Sequence, residues 1–65
     1  MTTEAFAYID RNGRARALSV SRSMAAMNGR LNGADTLAVY AVNNEGWVGA
    51  NAEPIRTEPI ESVVA

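Results

Sequence analysis

A chain of 65 residues with no cysteine and no histidine lacks the two staples that most often hold so small a domain together, a disulfide and a structural zinc. A domain of this length buries only about 60% of the surface its unfolded chain exposes, so its own core gives marginal stability. Ordering it costs on the order of 100 kcal/mol at roughly 1.5 kcal/mol per residue, which apolar burial barely offsets. Association is the remaining remedy. A homodimer that covers the C-terminal tail or an edge strand is expected, as is a protein partner.

Lysine is absent too. The three missing side chains remove imidazole bases, thiolate nucleophiles and metal ligands, and Schiff-base amines. Seven carboxylates, six arginines and some hydroxyls remain. Arginine does not give up its proton, and a carboxylate needs deep burial to act as an acid near pH 7. No phosphate-cradling glycine loop, nucleophile elbow or metal-ligand spacing occurs. The chain reads as one that binds rather than reacts, with no catalytic, cofactor or metal site expected. Met1-Thr2-Thr3-Glu4 shows no secretory signal, and the longest apolar run, residues 37–42, is too short to span a bilayer. The expected location is therefore the cytoplasm, without membrane association.

Net charge is −1, but it is segregated along the chain. Residues 11–30 hold Arg11, Arg14, Arg16, Arg22 and Arg30 and no acid, whereas residues 31–65 hold five acids against Arg56 alone. Such a pattern suits recognition of an anionic surface, or mutual neutralisation of the two halves across the fold.

Residues 4–9 alternate around Phe6 and Tyr8 and predict a strand. Asn12-Gly13 is a strong hairpin signal, and residues 14–18 alternate again as the returning strand or begin the helix early. A two-residue turn there would set Arg11 opposite Arg14, with Asp10 at hand to neutralise them. A helix follows, capped by Ser19 or Ser21, with Val20, Met24, Met27 and Leu31 as a core stripe about 60° wide at 100° per residue. Arg22, Ala26 and Arg30 fall on the opposite side, as an outward arginine ridge, and Asn32-Gly33 ends the helix. Residues 36–42 predict a strand, residues 43–46 a turn, and residues 47–52 its hairpin partner. Tyr40 and Trp47 are the large aromatic groups there, suited to a core or to an interface. The tail repeats a Glu-Pro-Ile unit at 53–55 and 58–60, and proline at both sites predicts an extended segment, with Ile55, Ile60 and Val63-Val64 as spaced anchors.

The pattern over residues 15–48 resembles small phage-encoded anti-CRISPR proteins. It comprises a serine-capped helix after Ala17-Leu18-Ser19, a strand from Thr36-Leu37 and a Glu45-Gly46-Trp47 hairpin. One such group blocks the type I-F surveillance complex, with a helix packed on a small antiparallel sheet and basic residues near the crRNA–DNA channel. This chain departs from that group in having no lysine, so an electrostatic role would rest on arginine, and no functional residue carries over by identity.

The expected fold is α+β: one amphipathic helix on a small antiparallel sheet, order β-β-α-β-β, with a compact domain over residues 1–52 and an extended tail over residues 53–65. The expected function is that of a small non-enzymatic protein-binding inhibitor or accessory factor of a phage or other mobile element, blocking a host nucleic-acid-handling defence complex as the resemblance implies. Its candidate partner-binding residues are Arg14, Arg16, Arg22, Arg30, Tyr40 and Trp47. A nucleic-acid binder using residues 11–30 and a structural assembly subunit are the alternative readings.

Overall fold

A computed structural model describes residues 3–43, 46–49 and 51–63. The elements run β1 (Glu4–Ile9), β2 (Ala15–Ser19), α1 (Arg22–Leu31), β3 (Thr36–Ala41), β4 (Arg56–Pro59) and a 3-10 turn at Ile60–Ser62. The four strands form one antiparallel sheet in the order β2-β1-β3-β4. The small α+β domain with one helix and an antiparallel sheet is thus as the sequence predicts.

The first hairpin forms, with a different turn. Ile9 pairs with Ala15, the Asp10 amide donates to the Arg14 carbonyl at 2.8 Å, and Gly13 takes φ 79°. The loop is therefore three residues long and sets Asp10, not Arg11, opposite Arg14. The Asp10 carboxylate accepts from the Asn12 and Arg14 amides and from Arg16 Nε, each at 2.9 Å. A short acceptor side chain at the start of the turn explains the choice: it satisfies amides that a two-residue turn would leave open. Residues 15–19 are a strand and not an early helix turn.

Ser21 caps α1, accepting from the Met24 amide at 3.2 Å. The helix ends in a left-handed turn. The Gly33 amide donates to the Arg30 carbonyl, the Ala34 amide to that of Gly29, and Gly33 has φ 73°. Its packing face is the reverse of the expected one. Ala25, Ala26 and Gly29 are buried, whereas Val20, Met24, Met27 and Leu31 are exposed. Small residues let the helix approach the sheet closely, and Tyr8 and Ile60 fill the space beside Gly29. Met24, Met27 and Leu31 are left on the far side, and Val20 of the expected stripe precedes the helix altogether.

The sheet has two unlike faces. Phe6, Tyr8, Leu37 and Val39 point to the helix and join Ala25, Ala26, Ile60 and Val63 in the main core. Ala5, Ala7, Ala38 and Tyr40 point the other way, as strand alternation requires.

The expected second hairpin does not form. Each strand has two edges, and those of β3 are taken by β1 and by β4, which pairs Val39 with Arg56 and Thr36 with Pro59. Residues 46–49 instead lie across the alanine face, where Val48 packs on Ala7, Ala38 and Tyr40. Asn44 and Glu45 of the expected turn lie outside the described residues, as does Val64 of the expected anchors. Residues 56–63 belong to the sheet and the core, not to an extended tail. Ile60 and Val63 are buried, and the Ile60 amide donates to the Asp35 carbonyl. Alternate residues of an antiparallel strand bond to the neighbour, so Pro59, next to Ile60, turns its missing N–H to the open edge, where it costs nothing.

Candidate partner-binding groove

The alanine face is only partly covered, and two adjoining shallow depressions, which share Leu18 and Val48, make up a groove over it. Its floor is Ala5, Ala7 and Tyr40, one wall is Ala15, Leu18 and Val20 from β2 and its exit, and the other is Trp47, Val48 and Gly49. A bulge aims Leu18 into it. Phe6 pairs with Ser19 and Tyr8 with Arg16, so β2 holds one residue more than β1 over that span, and Ala17 absorbs it at φ 58°. Trp47 is 70% exposed and Leu18 54%, against 9% for Tyr40. The Trp47 backbone is tied to Asn43, whose side chain accepts from its amide at 3.0 Å and whose own amide donates to its carbonyl at 2.9 Å. The arrangement offers apolar contact with an exposed indole whose backbone is tied to Asn43. It does not bring together groups for proton transfer.

The expected site residues therefore divide. Tyr40 and Trp47 both lie on the alanine side, Tyr40 lining one depression and Trp47 the other. The arginines lie on the other side of the sheet. Arg16 pairs with Tyr8, whose side chain faces the helix, and Arg14 shares its parity. Arg16 is held by Asp10 at 2.9 Å. That contact and the Arg14 amide keep the Asp10 carboxyl below the usual carboxylate range, the backbone bond contributing most.

Arg22 and Arg30 form no free outward ridge, because both reach the C-terminal segment. Arg30 Nη2 donates to the Ile60 carbonyl at 3.1 Å and to the Val63 carbonyl at 2.6 Å. Arg22 Nη2 lies 2.6 Å from Glu58 Oε1, a close ion pair without the alignment of a hydrogen bond. Glu58 also accepts from Arg56 Nε at 3.0 Å, and Arg56 grips Glu4 with both terminal nitrogens, at 2.7 and 3.1 Å. The hydrogen bonds from Arg56 lower the Glu4 carboxyl, and those same bonds hold the Arg56 guanidinium proton more tightly. In the chain Arg22–Glu58–Arg56–Glu4, the Arg22–Glu58 pair neutralises the basic middle by the acidic flank, as the charge segregation allowed.

Leu18 and Val48 are groove residues that the sequence reading passed over. Leu18 sits where alternation alone would place it on the helix side, and only the bulge turns it outward. Among the described residues no cluster of His, Cys, Asp and Glu could hold a metal ion, and no helix is long and apolar enough to cross a membrane. Comparison with protein-family models, with curated proteins and with solved structures gave no match.

Proposed function

We propose that this is a small protein-binding factor, an inhibitor or accessory chain of a phage or other mobile element, whose groove takes an apolar side chain of its target. One observation carries the reading: Trp47 and Leu18 stand exposed on either side of a floor of buried Ala5, Ala7 and Tyr40. Covering a side chain of this kind contributes about 1.5–3 kcal/mol. Tryptophan is also among the residues most enriched where binding energy concentrates. The serine-capped helix and the strand from Thr36-Leu37, the parts of the resemblance to anti-CRISPR proteins that do not depend on the absent second hairpin, point to a defence complex as the target class. The internal pairing of Arg16, Arg22 and Arg56 moves weight from electrostatic docking to apolar docking.

The test is expression of the tagged chain in a bacterium with an active type I defence complex. Phage plating and co-purifying protein are compared for the wild type and a Leu18→Ser, Trp47→Ala double variant. The wild type is expected to hold a stoichiometric protein partner and raise plating, and the variant to lose both at an unchanged melting temperature. A wild-type chain that retains no partner and leaves plating unaltered would overturn the reading.

A further inference from the structure

The two depressions of the groove differ in one chemical respect. The one bordered by Ala7, Ala15, Leu18, Val48 and Gly49 contains a single polar side chain, Tyr40. Tyr40 pairs with Ala5 in the sheet and is 9% exposed. A tyrosine buried to that degree ordinarily hydrogen-bonds through its hydroxyl. This hydroxyl has no hydrogen-bond partner among the described residues, and its oxygen is not sealed from solvent. It stands as an open donor and acceptor among small and aliphatic side chains. In the neighbouring depression, beside Trp47, the one hydroxyl belongs to Ser19 and already accepts from the Ser21 amide at 3.0 Å. No charged side chain lines either depression.

We infer that the Tyr40 depression takes a tyrosine side chain of the partner, whose phenol hydroxyl bonds to that of Tyr40. The assignment rests on the groove reading and names the second group the partner presents, beside the apolar side chain held near Trp47. Three physical steps lead to it. An aliphatic tip would cover the Tyr40 hydroxyl and leave it unpaired, which costs more than the covered area returns. A charged tip would give up its water and meet no counter-charge. An uncharged hydrogen-bonding tip satisfies both conditions. The size then favours a ring: the depression measures about 190 Å³, and an apolar cavity of about 150 Å³ already holds benzene. The Leu18 and Val48 side chains offer that ring aliphatic contact.

Titration of the isotope-labelled chain with N-acetyl-tyrosinamide and with N-acetyl-phenylalaninamide, followed by NMR, reads the site directly. The wild type is expected to bind the tyrosine probe about 5-fold more tightly, the size of one net hydrogen bond, with amide shifts centred on Ala7, Val48 and Gly49. Tyr40→Phe keeps the ring and removes only the hydroxyl. It should abolish the preference, leave binding of the phenylalanine probe unchanged and keep the melting temperature of the wild type. Equal affinity of the wild type for the two probes overturns the assignment, and so does a preference that survives Tyr40→Phe. A lower melting temperature for Tyr40→Phe also overturns it, because the hydroxyl would then be bonded within the fold. In the co-purification assay, a Tyr40→Phe chain that holds the partner as firmly as the wild type overturns this assignment and leaves the groove reading standing. A wild type that holds no partner overturns both.

Discussion

Two residues sit where their type is the decisive fact, and in opposite senses. Gly29 is inside a helix, where alanine is ordinarily better by about 1 kcal/mol. Here a Cβ would stand 2.5 Å from Ile60 Cδ1 and 2.9 Å from Tyr8 Cβ, closer than side chains approach. Gly29→Ala is therefore expected to destabilise by about 1–3 kcal/mol through overpacking, read as a lower urea midpoint at unchanged slope. Ala17 is the reverse case. It is the only non-glycine among the described residues with positive φ, at 58°, a conformation that costs an L-residue about 1 kcal/mol or more. Ala17→Gly removes that cost and adds back some unfolded-state entropy, so a gain of up to about 1 kcal/mol is expected by urea titration. A loss would mean that the bulge is not held in this conformation.

At the level of elements, α1 is tied down less by its apolar stripe than by its ends and by Arg30. Arg30→Ala would strip two hydrogen bonds from the Ile60 and Val63 carbonyls. Charge-assisted bonds of this kind contribute about 1.5–3 kcal/mol, reduced here because the residue is exposed, so a cost of about 1–2 kcal/mol is expected in thermal or urea unfolding. Arg22→Ala should cost less, about 0.5 kcal/mol, because its pair with Glu58 is solvent-screened. If the two substitutions cost the same, the carbonyl contacts do not anchor the C-terminal segment. What could be read beforehand follows from the same physics. The existence and ends of α1 were legible, because Ser21, Asn32 and Gly33 act through local geometry that the sequence spells out. The face it buries was not, since apolar size pointed to Met24 and Met27 while closeness of packing selected Ala25, Ala26 and Gly29. Strand β4 was hidden by Pro54 and Pro59. Proline argues against a central strand, yet Arg56–Pro59 is an edge strand whose open side tolerates it. Tyr40 and Trp47 were legible as interface aromatics by chemistry alone. Leu18 was not, because its direction depends on a bulge that no residue type announces.

For the whole molecule, stability without disulfide or metal leans on a core whose fully buried large side chains are Leu37 and Val39, and on carboxylates that lock distant parts of the chain. Glu4 joins β1 to β4 through Arg56, across the intervening β3, and Asp10 closes the first hairpin. Both carboxyls titrate below their ordinary range in the folded chain, Glu4 chiefly through its hydrogen bonds to Arg56 and Asp10 chiefly through the Arg14 amide. A carboxyl depressed by folding stabilises the fold above its unfolded pKa, about 4 for these groups, and loses that contribution as pH falls through the folded value. The melting temperature is accordingly expected to stay level between pH 8 and pH 5 and to drop steadily below about pH 4. Arg56 adds no limb over that range, because its guanidinium stays protonated in the folded and the unfolded chain alike. Glu4→Gln tests the assignment. It cannot titrate at that position, so the variant should melt lower at pH 7 and converge on the wild type as the pH approaches 2. If the two curves keep a constant separation over that range, the Glu4 contribution is steric rather than electrostatic. If they coincide throughout, the bridge between β1 and β4 contributes nothing, and the acid limb belongs to Asp10.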